Sequence, residues 1–130
     1  MRAYWDSSAI IEAFQSLALR SRLHREGGLT RTHTLAEVFS TLTGGHLAFR
    51  LDADAAAQAI ASVARDLEFH DLTPADVLTA LKAARKKGVR GGRVHDYLHA
   101  LAAEKSGAKK LLTLDKNDFK DLGTVEIEQV

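Results

Sequence analysis

Apolar positions along this chain recur with two periods, and the switches between them predict short strands alternating with helices. Met1 to Trp5 carries the aromatic and apolar weight of a strand. Ile10, Ile11, Phe14, Leu17 and Ala18 then fall at helical spacing, so a helix is expected from about Ser7. Gly27-Gly28 breaks that pattern ahead of a short strand at Leu29 to Arg31. Thr34 opens a second helix, carried by Val38, Phe39 and Leu42 and ended by Gly44-Gly45. Asp52 is placed to cap an alanine-rich helix through Ile60, Val63 and Ala64, and Leu67 to His70 suits a strand.

The second half is punctuated more strongly. Thr73-Pro74-Ala75-Asp76 combines a capping threonine, a proline at the first helical position and an acid three residues after the threonine. The helix it starts, with Val77, Leu78 and Leu81, runs into a basic stretch before Gly88. Gly91-Gly92 precedes another helix, whose Val94, Tyr97, Leu98, Leu101 and Ala102 share one face and whose C-terminal cap is Gly107. Lys110 to Leu114 is expected as a strand, and Thr124 to Glu128 as a last one, polar enough to lie at an edge. This alternation implies right-handed crossovers and a mainly parallel sheet covered on both faces. The expected fold is a three-layer α/β/α sandwich, with residues 1–130 as one domain.

Composition narrows the chemistry. A chain of 130 residues, 45% apolar and 27% charged, is long enough to bury a core without covalent help. The absence of cysteine excludes zinc–thiolate sites, thiol catalysis and disulfides. Asp6 interrupts the apolar run a signal peptide needs, and no stretch has the length of a membrane span, so a soluble, cytoplasmic protein is expected. A net charge of +1 does not mark a nucleic-acid binder. Lys82, Arg85, Lys86, Lys87, Arg90 and Arg93 nevertheless crowd one stretch, which serves either as a solvated helix face or as a rim for phosphates.

In open α/β sheets ligands bind beyond the carboxyl ends of the strands. Asp6 follows the first strand and Asp115 the strand from Lys110, so neighbouring strands would bring both into one crevice. Asp96 lies in the first turn of its helix and off the apolar stripe. Glu37 opens the second helix. Each acid also has a structural reading: Asp6 as a helix cap, Asp115 as a turn initiator, and Glu37 as the acid of a capping box with Thr34. Held together, such carboxylates repel, and a divalent cation relieves the repulsion; oxygen donors favour Mg²⁺ or Mn²⁺. Ser7 and Asp118 are additional candidates, each with a surface or helix-start reading beside it.

The ordered set resembles the PIN-domain family, in particular its VapC-like ribonuclease toxins. The matching segments are Tyr4-Trp5-Asp6-Ser7-Ser8-Ala9, Leu35-Ala36-Glu37-Val38, Val94-His95-Asp96, Leu101-Ala102-Ala103, Gly107-Ala108, and Leu111-Leu112-Thr113-Leu114-Asp115 followed by Asp118-Phe119. The resemblance implies Mg²⁺ or Mn²⁺ at Asp6, Glu37, Asp96 and Asp115, and cleavage of RNA to a 5′-phosphate and a 3′-hydroxyl. It also implies a cognate antitoxin and a homodimer. Arg90 and Arg93, leading into the Asp96 helix, are the expected contacts to the RNA backbone.

Three other readings compete. His95-Asp96-Tyr97-Leu98-His99 places two histidines one helical turn apart, as in zinc hydrolases, with Asp96 as base. A phosphorelay receiver is the right size but needs adjacent acids after the first strand, where Ser7-Ser8 follows Asp6. A non-catalytic PIN-like module that only binds RNA or protein would carry the same motifs.

Overall fold

The computed structural model describes residues 2–45 and 50–130, so Met1 of the expected first strand and part of the Gly44–Leu51 connection lie outside the described residues. The strands are β1 (Tyr4–Trp5), β2 (Gly28–Thr30), β3 (Leu67–Phe69), β4 (Lys110–Thr113) and β5 (Glu126–Gln129). The helices are α1 (Ser7–Ala13), α2 (Leu17–Glu26), α3 (His33–Gly44), α4 (Ala53–Ala64), α5 (Pro74–Ala83) and α6 (Arg93–Lys105). All strand pairs are parallel, in the order β3-β2-β1-β4-β5.

Side chains that alternate along the central strands divide the core in two. Tyr4, Leu29 and Leu111 pack toward α5 and α6, against Ala80, Tyr97, Leu98 and Ala102. Trp5 and Leu112 pack toward the first four helices, against Ile10, Leu23, Val38, Leu42 and Val63. The sheet is therefore sandwiched between helical layers, as the alternating pattern implies. From β1 the chain moves outward on one side to β2 and β3, then returns through α5 and α6 to place β4 on β1's other side. The strand order reverses between β1 and β4, and their carboxyl ends flank that switch point.

Two local expectations fail for identifiable reasons. The long first helix is two helices, because the Ser16 hydroxyl accepts from the Leu19 amide (3.2 Å) and caps α2 anew. Leu17, 84% exposed, contributes to no buried stripe, so its agreement with helical spacing was coincidental. The Thr34–Glu37 capping box also does not form. Helix α3 begins one residue earlier, at His33. Thr34 is buried with its hydroxyl 2.8 Å from that of Thr30, which in turn donates to the Trp5 carbonyl. By contrast, Thr73 and Asp76 complete the reciprocal box at the start of α5.

Gly28 marks the tightest passage in the sheet. A Cβ there would lie 2.7 Å from Trp5 Cδ1 and 2.9 Å from Leu23 Cδ1, both from fully buried side chains. Gly28→Ala is therefore expected to destabilise the fold by about 1–3 kcal/mol, read as a lower urea midpoint. Gly92→Ala, whose Cβ meets nothing within 4 Å, should stay within about 0.5 kcal/mol of the parent.

Candidate active site

Asp6 extends from the end of β1 and is only 4% exposed. Its Oδ1 accepts from the Ala9 amide at 2.8 Å, capping α1, and from the Ser8 hydroxyl at 2.7 Å. Its own amide donates to Leu112 of β4. Ser8 completes the seat: its hydroxyl lies 3.2 Å from that of Thr113 and accepts from the Leu114 amide at 2.9 Å. Burial pushes the Asp6 carboxyl above the ordinary range, and the bonds from Thr113, Ala9 and Ser8 oppose it. Capping and burial thus coexist in one residue.

Asp96, in the first turn of α6, is pushed up to about 6, first by burial and then by the negative charges of Asp118, Asp6 and Glu37. Three carboxylates, from the segments after β1, β2 and β4, thus act on Asp96. Asp118 lies in the 3-10 turn Lys116–Phe119 and lines a cavity of about 300 Å³ with Arg93, Asp96 and Asn117. Asp115 is exposed, and its Oδ1 accepts from the Asn117 amide at 3.0 Å. Its carboxylate thereby caps the turn that carries Asp118.

Glu37 is held from behind. Its Oε1 lies 2.8 Å from His99 Nε2, and His99 Nδ1 lies 2.8 Å from the Tyr4 hydroxyl. Burial acts most strongly on Glu37 and raises it, but the His99 bond and the electrostatic influence of His99, Arg31 and His33 together outweigh it. The carboxyl is held below its ordinary value. An ionised carboxylate only accepts, so His99 Nε2 carries a proton; in the neutral ring, Nδ1 accepts from Tyr4. Burial raises the Tyr4 phenol, which keeps it a donor. The pairing of His95 and His99 as zinc ligands is therefore overturned. His99 is 2% exposed with both ring nitrogens engaged, whereas His95 stacks on His33 with centroids 6.2 Å apart.

Sequence reasoning did not single out Tyr4, Arg31 or His33. Arg31, 7% exposed, has no hydrogen-bond acceptor for Nε or Nη2 among the described residues. Its charge instead favours the ionised forms of Glu37 and Asp71. No periodic signal distinguishes such a residue from a surface arginine. Ser7 lines a cleft of about 390 Å³ with His33, Glu37 and His95. Arg90 is exposed, whereas Arg93 donates from Nη2 to the Lys120 carbonyl and has its Nε buried. A further cavity of about 600 Å³ is a mainly apolar groove beside α5 and α6 lined by Leu72, Ala80, Tyr97 and Leu101. Its lining includes none of these acids.

Carboxylates beside the switch point of a parallel sheet lie where open α/β folds bind their ligands. Residues 3–125 match the PIN domain model, and the chain belongs to the PIN-domain family. Membership points to nuclease-type activity, and PIN domains typically use a divalent metal. No curated protein matches the chain. Among the described residues, no helix is long and apolar enough to cross a membrane.

The donors suit such an ion. Asp6, Asp96 and Asp118 offer oxygen donors, and the negative charges that Asp118 and Asp6 bring to Asp96 are ones a cation would offset. In metal-free protein that repulsion has a sign. Because Asp96 rises from 3.8 to about 6 on folding, its proton stabilises the fold fully below about pH 4. That contribution is lost as the pH rises through 6. In chelator at neutral pH, Asp96→Asn should therefore be more stable than the parent, by about 1 kcal/mol after allowance for solvent screening. Thermal melts across pH should show the difference shrinking toward pH 4, where the parent carboxyl is itself neutral.

Proposed function

We propose that this chain is a Mg²⁺- or Mn²⁺-dependent endoribonuclease, with residues 1–130 acting as one nuclease domain. The carrying observation is the electrostatic convergence on Asp96 of Asp118, Asp6 and Glu37 at the carboxyl ends of β1 and β4. Asp6, Asp96 and Asp118 would hold the ion, and Asp118 takes the place that spacing suggested for Asp115. Asp115 supports it by capping the turn. When bound, the ion lowers the pKa of a water molecule and neutralises charge on the phosphate.

The chain's own groups do the rest. Asp6 is kept immobile by Ala9 and Ser8, so the ligand set needs little reordering. Glu37, ionised and fixed by His99, orients the attacking water through a free acceptor site. Attack on phosphorus forms the new P–O bond as the bond to the 3′ oxygen breaks. The 5′ side keeps the phosphate, and the 3′ oxygen gains a proton. Arg93, which lines a cavity with Asp96 and is partly anchored by Lys120, and the exposed Arg90 meet the RNA backbone.

The finer reading is the toxin of a type II toxin–antitoxin pair, acting as a homodimer in the cytoplasm. It is supported by the ordered motifs. Exposed Leu78 and Leu81 on α5 offer apolar surface to a protein partner.

Cleavage of cellular RNA with Mg²⁺, with Mn²⁺ and with chelator tests the mechanism. Asp6→Asn, Asp96→Asn and Asp118→Asn should each lower the rate by about 100-fold or more, with folding verified by circular dichroism. Asp115→Asn should have a smaller effect than Asp118→Asn. Cleavage that persists in chelator would defeat the mechanism, and folded, metal-binding protein inactive on every RNA would favour a non-catalytic module. Replacing Arg90 and Arg93 with alanine should weaken RNA binding and reduce the slope of log K against log salt by about 1 per lost phosphate contact. An unchanged slope would remove both from the interface.

A further inference from the structure

Beside the acidic cluster, and sharing one residue with it, lies a group of different chemistry. His33 and Glu37 stand four residues apart in the opening turns of α3, on one helix face. His95 comes from the first turn of α6. One ligand atom from each of the three lies within 4.8 Å of the others. The imidazoles are nearly parallel, with an interplanar angle of 14° and centroids 6.2 Å apart. All three line the solvent cleft that Ser7 and Thr41 help to form.

We propose that His33, Glu37 and His95 form a second cation site, specific for a divalent transition ion such as Zn²⁺ rather than Mg²⁺. Two imidazole nitrogens and one carboxylate oxygen are a zinc donor set, and the open cleft leaves a position for water. Bonds of roughly 2.0–2.1 Å in a tetrahedron place donors about 3.4 Å apart. The three ligand atoms already lie within 4.8 Å of one another, and both histidines are exposed side chains that rotation can bring toward that spacing. The carboxylate, by contrast, is already held by His99 from the protein side, as ligating carboxylates commonly are. Mg²⁺ prefers an all-oxygen shell and has no reason to leave the aspartates for nitrogen. The two exposed histidines, carried on separate helices, stack on one another beside Glu37, so three donors from two elements meet in one cleft. Since Glu37 also acts on Asp96, filling this site engages the same carboxylate that faces the acidic cluster.

The site is tested without RNA, so its outcome is separate from that of the nuclease reading. Protein purified without a polyhistidine tag and stripped with chelator is titrated with Zn²⁺ against a chromophoric chelator. Co²⁺ is then added as a spectroscopic substitute. One zinc ion per chain should bind in the presence of excess Mg²⁺, and Co²⁺ should give the visible absorption of a low-coordinate nitrogen–oxygen site. His33→Ala and His95→Ala, both at exposed positions, should each weaken zinc binding by at least about ten-fold, while Asp118→Asn retains it. Zinc affinity unchanged in both histidine variants would overturn the proposal. So would displacement of zinc by Mg²⁺, or zinc binding abolished by Asp118→Asn, which would place the ion among the aspartates instead.

Discussion

The buried carboxylate of Asp6 is the constraint on which the rest of this molecule is arranged. It ends β1, caps α1 through the Ala9 amide and, with Ser8, fastens β1 to the last residues of β4. A carboxylate this deeply buried is costly unless fully hydrogen-bonded, and even with its bonds it is pushed upward. The fold retains the cost because the same group faces the crevice. Moving β4 by one register step would break the Ser8 contacts with Thr113 and Leu114 and dislocate the acid cluster together with the sheet.

Around this fixed point, three elements deliver the other acids with unequal rigidity. Asp96 rides on the first turn of α6, whose opposite face is fully committed to the core. Glu37 is tethered through His99 to Tyr4, so the core itself orients it. Asp118 depends on a single 3-10 turn, which Asp115 caps and Phe119 anchors by burial. The acids are thus graded from immobile to adjustable.

Much of this was legible in the order of residues. Turn chemistry located α4, α5 and α6 closely, since Asp52, the Thr73–Asp76 box and Gly107 act through local hydrogen bonds and a local φ of +79°. Alternation placed the strands to within a few residues, and the polar last strand is indeed at an edge. Failures came where a distant partner overrode a local rule. Glu37 abandons a cap available in its own helix for a histidine 62 residues away. Thr34, free of that cap, turns inward to Thr30. Asp115 turns one carboxylate oxygen to the Asn117 amide of its own turn, a local bond that spacing alone does not reveal. His33 escaped notice because its meaning lies wholly in its neighbour from α6.

The strand order also bears on how such a protein is made. Strand β4 lies against the central strand β1, although more than a hundred residues separate them along the chain. During synthesis β1 and its aspartate emerge well before β4. Until then Asp6 lacks its partner strand, Asp118 does not yet exist, and one edge of β1 is unpaired. The acids that act on Asp96 therefore come together only after β4 and the turn that follows it have been made, and the Trp5 side of the core waits for Leu112 in the same way.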